Sequence, residues 1–416
     1  AILHLCGPYR CPNQHLEGVA VATHTPPNGA FRGFGAPQAM FAVERHMDRI
    51  ARTIGMDPID FRRLNLIRDG DSSPTGQVLY DTGAEIVLND ALDAAEAELK
   101  RAPIHAGGGI GNYARGRGVA LVLHGCGFTG NGEARIKGKV AMEVDGHVVK
   151  IFTASTDIGQ GVETTFPQIA AAELGIAVDR VSNAPHDTAI VPDSGPTVAS
   201  RTCMVVGGVV KKAAIQLREA LQAETGMETE DFDQLLRART NTIPLRVLAE
   251  YKDNGTMSWD DATYTGDAYP TYGWSCSIVD LDVDLDTGEV LYRRFVGSTD
   301  VGKAINPVIV TGQLEGGSLQ GLGYATAEEV VLDDVGRMRN DRLTNYIIPT
   351  ALDAPEMITR IVEIPFAHGP FGAKGVGEIP HDGPAPAVAQ AIEQATGIVL
   401  DTLPMTPERV LAALEG

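Results

Sequence analysis

Two strand–turn–strand patterns set among helices constrain the fold most. Strands are predicted over 134–144 and 147–155 across the tight turn Asp145-Gly146, and again over 275–285 and 289–296 across Asp286-Thr287-Gly288. Further strands are predicted over 118–124 and 178–183. Elsewhere the apolar residues recur at helical spacing: 38–54, a short helix from Asp57-Pro58 to Leu66, then 87–100, 162–174, 202–225, 307–325 and 384–396. A last helix opens at Thr406-Pro407-Glu408. Hairpins and helices intermix without regular β-α alternation. That pattern argues against a doubly wound sheet and for an α+β architecture.

A chain of 416 residues has room for two or three domains with sizeable cores. Its net charge of -20, spread along the chain, would repel nucleic acid and anionic membrane, so neither is expected as a partner. No run of apolar residues is long enough for a membrane span. Residues 1–35 lack a basic start followed by an apolar core, so no signal peptide is expected in them. Five scattered cysteines, at 6, 11, 126, 203 and 276, fit free thiols in a reducing, cytoplasmic setting. Cys6 and Cys11 are not followed by further cysteines at iron–sulfur spacing. The apolar opening Ala-Ile-Leu-His-Leu is expected of a trimmed, processed or split polypeptide, with simple Met removal as the alternative.

Residues 102–117 form a glycine-rich linker with Gly107, Gly108, Gly109 and Gly111. No strand precedes it and no clear acidic partner follows, so a dinucleotide fingerprint is rejected. A domain boundary is placed at about residue 115, giving units 1–115 and 116–416.

Four segments dense in glycine or small residues sit at element ends: 31–38, 157–161, 194–200 and 371–378. Glycine allows close approach of backbone N–H groups to an anion, and helix N-termini favour anions. Several such loops point to a large, phosphate-bearing, hydrogen-bonding ligand. Taken singly, each loop is equally a plain turn or helix cap, and Glu378 is equally a solvated loop carboxylate.

Taken together and in order, the loops resemble the molybdenum hydroxylase family of xanthine dehydrogenase and aldehyde oxidase. The motifs are Ala30-Phe-Arg-Gly-Phe-Gly-Ala-Pro-Gln38, Thr156-Asp-Ile-Gly-Gln-Gly161, Gly195-Pro-Thr-Val-Ala-Ser200, Gly312 to Gly323, and Lys374-Gly-Val-Gly-Glu378. The resemblance implies that Glu378 is the catalytic base, and that burial raises its pKa toward working pH. It implies that Phe34 and Phe128 hold a flat substrate. It implies that Arg32, Gly33, Phe34, Gly159, Gln160, Gly161, Val198, Ala199, Ser200, Gln313 and Gly375 cradle a molybdopterin cofactor carrying molybdenum, in the cytosine dinucleotide form. No side chain is expected to ligate the metal. His124 and Cys126 are expected either near the same pocket or as packed loop residues.

The match covers only the C-terminal half of a family molybdenum subunit. Residues 1–115 would carry the end of a first molybdopterin-binding domain and 116–416 the second. An N-terminal-half subunit, a [2Fe-2S] subunit and an FAD subunit are then expected as partner chains, as in split members such as nicotinate dehydrogenase. The implied activity is oxidative hydroxylation of an electron-poor carbon in an N-heteroaromatic compound or an aldehyde, with oxygen from water. The alternatives are a reductase that dehydroxylates an aromatic thioester and a non-catalytic scaffold subunit. A CO-oxidising member would carry a copper-binding cysteine in the loop 31–38, which has none.

Overall fold

The computed structural model describes residues 1–102, 111–253 and 257–416. In chain order its helices are α1 (Ala36–Thr53), α2 (Pro58–Asn65), α3 (Ala84–Arg101), α4 (Gly132–Ile136), α5 (Val162–Leu174), α6 (Gly207–Thr225), α7 (Phe232–Ala238), α8 (Pro307–Thr326), α9 (Pro384–Thr396) and α10 (Pro407–Glu415). Its strands are β1 (Tyr113–Cys126), β2 (Lys139–Asp145), β3 (Val148–Phe152), β4 (Val181–Asn183), β5 (Leu245–Glu250), β6 (Trp259–Asp260), β7 (Thr265–Gly266), β8 (Thr271–Asp284), β9 (Val290–Asp300) and β10 (Glu356–Val362). This is an α+β fold.

One sheet has the order β1-β8-β9-β10, antiparallel except for the parallel β9–β10 pair. Helices cover both faces. Met40, Val87 and Leu88 from α1 and α3 pack with Leu121, Trp274 and Val296. On the other face Leu322, Val388, Ile392 and Val410 pack with Val279, Leu281 and Phe295. Each large side chain so buried contributes about 1.5–3 kcal/mol. The seat of α9 explains a local sequence feature. A Cβ on Gly118 would lie 1.8 Å from Ala387 O, and one on Gly116 would lie 1.9 Å from Ala391 O. Carbonyls four residues apart on α9 thus face glycines two apart on β1, and a side chain at either glycine would hold helix and strand apart.

The second sheet has the order β4-β3-β2-β5. Met142 and Ile151 pack under Phe166, Ile169, Leu217, Leu221 and Phe232 from α5, α6 and α7.

Several predicted elements change. Residues 134–136 belong to α4, and β2 begins only at Lys139. The buried Glu133 carboxylate receives two nitrogens of Arg201, which draws this turn inward. The π-type turn Thr202–Val206 precedes α6, and Val178–Arg180 is a 3-10 turn leading into the short β4. Strands β5 and β10 and helix α7 were not foreseen. Both strands are sheet edges with largely half-exposed residues, so their apolar pattern is weak. Residues 103–110 of the predicted linker lie outside the described residues, and residue 115 itself lies in β1.

The end of β1, the start of β8 and the end of β9 lie at one end of the sheet, because Cys126 pairs with Thr271 and Ser275 with Thr299. The loop 371–378 is pinned there. Lys374 Nζ reaches Asp300 Oδ2 at 2.6 Å and Tyr272 O at 3.1 Å, all buried.

Candidate active site

The first glycine-rich loop turns into α1 through three successive left-handed residues, Gly33 (φ 94°), Phe34 (φ 49°) and Gly35 (φ 92°). The second turns into α5 through Gly159 and Gly161 (φ 105° and 82°). Asp157 holds it by accepting from the N–H groups of Gly159 and Glu163 at 2.8 and 3.0 Å. The third ends at Ala199 and Ser200, both left-handed (φ 56° and 48°). Non-glycine residues with positive φ are costly, at roughly 1–3 kcal/mol each, and cluster where function demands a shape.

These loops meet. Ser200 Oγ donates to Glu378 Oε2 at 2.9 Å and accepts from Glu378 N–H at 3.1 Å. Arg32 Nε donates to Gly377 O, while its Nη2 reaches Gln313 Oε1 on α8 at 3.2 Å. A Cβ on Gly375 would lie 1.6 Å from Ser200 O, so only glycine allows this approach.

Together they enclose a cavity of about 850 Å³. Arg32, Gly33, Phe34 and Phe128 line it, and Phe34 is 73 % exposed. Gly159, Gln160, Val198, Ala199 and Ser200 supply another wall; Gln313, Gly375 and Glu378 complete the set. Gly161 stands behind the wall as the N-cap of α5. The Gln160 side chain folds its own loop, accepting from Ile158 N–H and donating to Thr156 O, each at 2.6 Å.

His124 and Cys126 lie at the end of β1, not in a loop. His124 is buried, with Nδ1 2.7 Å from Asp382 Oδ2 and Nε2 3.5 Å from Glu378 Oε2. Burial favours its neutral ring, but Asp382 and Glu378 hold its pKa up at about 10. Burial lifts Asp382 to about 6 against the pull of His124. The 2.7 Å contact and the raised His124 value favour an imidazolium paired with a carboxylate. Cys126 donates to Gly375 O at 3.2 Å, and burial pushes its thiol up to about 11.

The expected upward shift of Glu378 is overturned. Burial does push the carboxyl up, but the His124 hydrogen bond and charge and the Ser200 hydroxyl outweigh it, so the group lies below the ordinary glutamate value. Nor is Glu378 a solvated loop residue: its side chain is only 14 % exposed. Sequence reasoning missed Asp382 and the Ser200 clasp. The one available signal was an acid four residues after Glu378.

A molybdopterin-type group fits these walls. Among the described residues, the backbone N–H groups of Val198, Ala199 and Ser200 have no hydrogen-bond partner, and the last two sit in the left-handed conformation that turns successive amides into an anion cradle. Among the described residues no cluster of three or more His, Cys, Asp or Glu could hold a metal.

Comparison with known proteins identifies the family. The family model of the molybdopterin cofactor-binding domain matches residues 89–355, and a companion model of the same description matches residues 1–66. The chain belongs to the xanthine dehydrogenase and aldehyde oxidoreductase family of molybdopterin-binding proteins. A xanthine dehydrogenase molybdenum-binding subunit of Escherichia coli O157:H7 is 32 % identical over 407 residues, which cover 93 % of this chain and 54 % of that protein. An aldehyde oxidoreductase of Megalodesulfovibrio gigas is 30 % identical over 411 residues, 98 % of this chain and 44 % of that one. Among solved structures, quinoline 2-oxidoreductase from Pseudomonas putida 86 superposes with a TM-score of 0.84 at 25 % identity, covering 99 % of this chain and 56 % of that one. The chain thus spans about half the length of the family relatives it matches.

Proposed function

We propose that this chain is the C-terminal half of the molybdopterin-binding subunit of a hydroxylase, with Glu378 as its general base. The observation that carries this reading is the convergence of the four glycine-rich loops on one cavity that holds a part-buried, hydrogen-bonded glutamate. The substrate is an electron-poor N-heteroaromatic compound or an aldehyde. The bound cofactor, in its cytosine dinucleotide form, supplies the metal that oxidises substrate carbon and accepts the electrons.

The residues of the chain do the rest. The N–H groups of 198–200, with Arg32 and Gln313 behind the adjoining wall, hold the anionic pterin. Phe34 and Phe128 orient a planar substrate by face and edge contacts. The Ser200 hydroxyl and His124 both face Oε2 and the Gly33 N–H also donates to the carboxylate, so the group is held in place as it takes the proton of the attacking water-derived hydroxyl. The low position of its pKa keeps it ionised and ready at neutral pH.

The same reading assigns the missing N-terminal half, a [2Fe-2S] chain and an FAD chain to a cytoplasmic complex, with a division of this chain at about residue 115. Its support is the printed names of relatives, such as the gamma subunit of a 6-hydroxypseudooxynicotine dehydrogenase complex of Paenarthrobacter nicotinovorans. A further support is the apolar side chains left exposed after α8, among them Val335, Leu343, Ile347 and Leu352. Among the described residues no helix is long and apolar enough to cross a membrane.

Glu378→Gln in the assembled enzyme tests the assignment. The variant should keep its molybdenum and lose about 10²–10⁴ in turnover. Near wild-type turnover would remove Glu378 from the role of base.

A further inference from the structure

The turn that follows the glutamate carries a second carboxylate. Glu378 and Asp382 flank the 3-10 turn Ile379–His381 at its two ends. His124, from β1, stands between them and faces one with each ring nitrogen, at 3.5 and 2.7 Å. The His4 ring stacks beside it at 5.2 Å and accepts the Gly125 N–H through Nε2 at 3.2 Å, so His4 is not an imidazolium. His381 is held neutral by burial and by Arg32, at about 4. Among the described residues, Arg32 also faces Glu378 and Asp382, and the un-ionised Tyr269 faces Glu378.

Resting on the reading of Glu378 as the base, we propose that His124, held by Asp382, is a positioning residue that fixes Glu378 Oε2 and keeps the carboxylate ionised. The consequence is a specific division of labour. Asp382 fixes the ring through Nδ1–H and compensates its charge in the interior. The positive ring, with Nε2 3.5 Å from Glu378 Oε2, then opposes protonation of that carboxylate. Each time Glu378 takes a proton, the imidazolium favours its prompt release to solvent, and the base is reset. A neutral His124 would do the opposite. With its Nδ1–H on Asp382, a lone pair at Nε2 would face Glu378, favour the protonated acid and disable the base.

Exchange of the histidine C2 hydrogen for deuterium, followed by mass spectrometry on the assembled complex, reads the His124 charge without reference to turnover. The expected exchange midpoint of His124 lies well above the ordinary histidine value of about 6.5, and falls by about two units or more in Asp382→Asn. In parallel, the acid limb of kcat/KM should move up by about one unit or more in Asp382→Asn and in His124→Gln, with molybdenum retained. Asp382→Glu should restore part of that shift. A wild-type midpoint at or below about 6.5 overturns the proposal, whether or not either variant folds. So does an acid limb that stays in place in both variants while the metal content is unchanged. Failure of the base assignment would look different: Glu378→Gln would turn over normally while the His124 midpoint stayed high.

Discussion

Ser200 and Glu378, 178 residues apart in the chain, are bonded twice: the Ser200 hydroxyl donates to the carboxylate at 2.9 Å and accepts from the glutamate N–H at 3.1 Å. The clasp joins the end of one glycine-rich loop to the end of another. It fixes both the backbone and the side chain of the proposed base.

Removing that hydroxyl should therefore cost both position and charge. Ser200→Ala is expected to lower turnover by about 10–100-fold, the range for a hydrogen bond of roughly 1.5–3 kcal/mol to a charged group. The acid limb of the pH profile should also rise, because one of the groups that hold Glu378 low is gone. Ser200→Gly relaxes the left-handed backbone and should show the same loss. An unimpaired Gly variant would shift the importance of Ser200 from its hydroxyl to its conformation.

Gly375→Ala should be more damaging than its size implies. The added Cβ would stand 1.6 Å from Ser200 O, so one of the two loops must move. Unfolding in urea is expected to show a loss of about 1–3 kcal/mol or more. Molybdenum per chain should fall with it, since the displaced loop lines the cavity. Full metal content at wild-type stability would contradict the close approach.

The dependence of stability on pH has a definite sign at His124. Its folded pKa, about 10, lies above the ordinary value. The stabilisation it provides is therefore fully present below about 6.5 and is lost as pH rises toward about 10. The difference in unfolding free energy between the wild type and Asp382→Asn should shrink across that window. A difference that stays constant from end to end would mean that His124 does not titrate there.

Phe34 is exposed and left-handed, a poor choice for packing and a reasonable one for a surface that meets substrate. Phe34→Ala should raise KM for a flat substrate more than it lowers kcat, and leave molybdenum bound. Metal loss in this variant would make Phe34 a structural part of the cofactor cradle.

Much of this was legible in the chain alone. The spans of α5 and α9 and the starts of α8 and α10 follow from apolar period, proline and capping residues, which act within a few positions. The order of the glycine loops indicated the family before any contact was known. Local signals could not find β5 or β10, because an edge strand owes its existence to a partner far away in sequence. Nor could they show that α4 replaces the start of a predicted strand, since the Glu133–Arg201 pair that holds it spans 68 residues.

The site divides in the same way. The sequence by itself determined which backbone segments could turn tightly and approach an anion, and that one of them ends in a glutamate. Only the tertiary structure decided what that glutamate is. Burial alone would have raised its pKa, and the sequence allowed no more than that estimate. The sign was set by His124 from β1 and Ser200 from another loop, brought within hydrogen-bonding reach by the packing of α9 on β1 and the pinning of Lys374 on Asp300. Electrostatic effects depend on distance in space, and distances of a few ångströms between residues more than a hundred positions apart are not written in either neighbourhood.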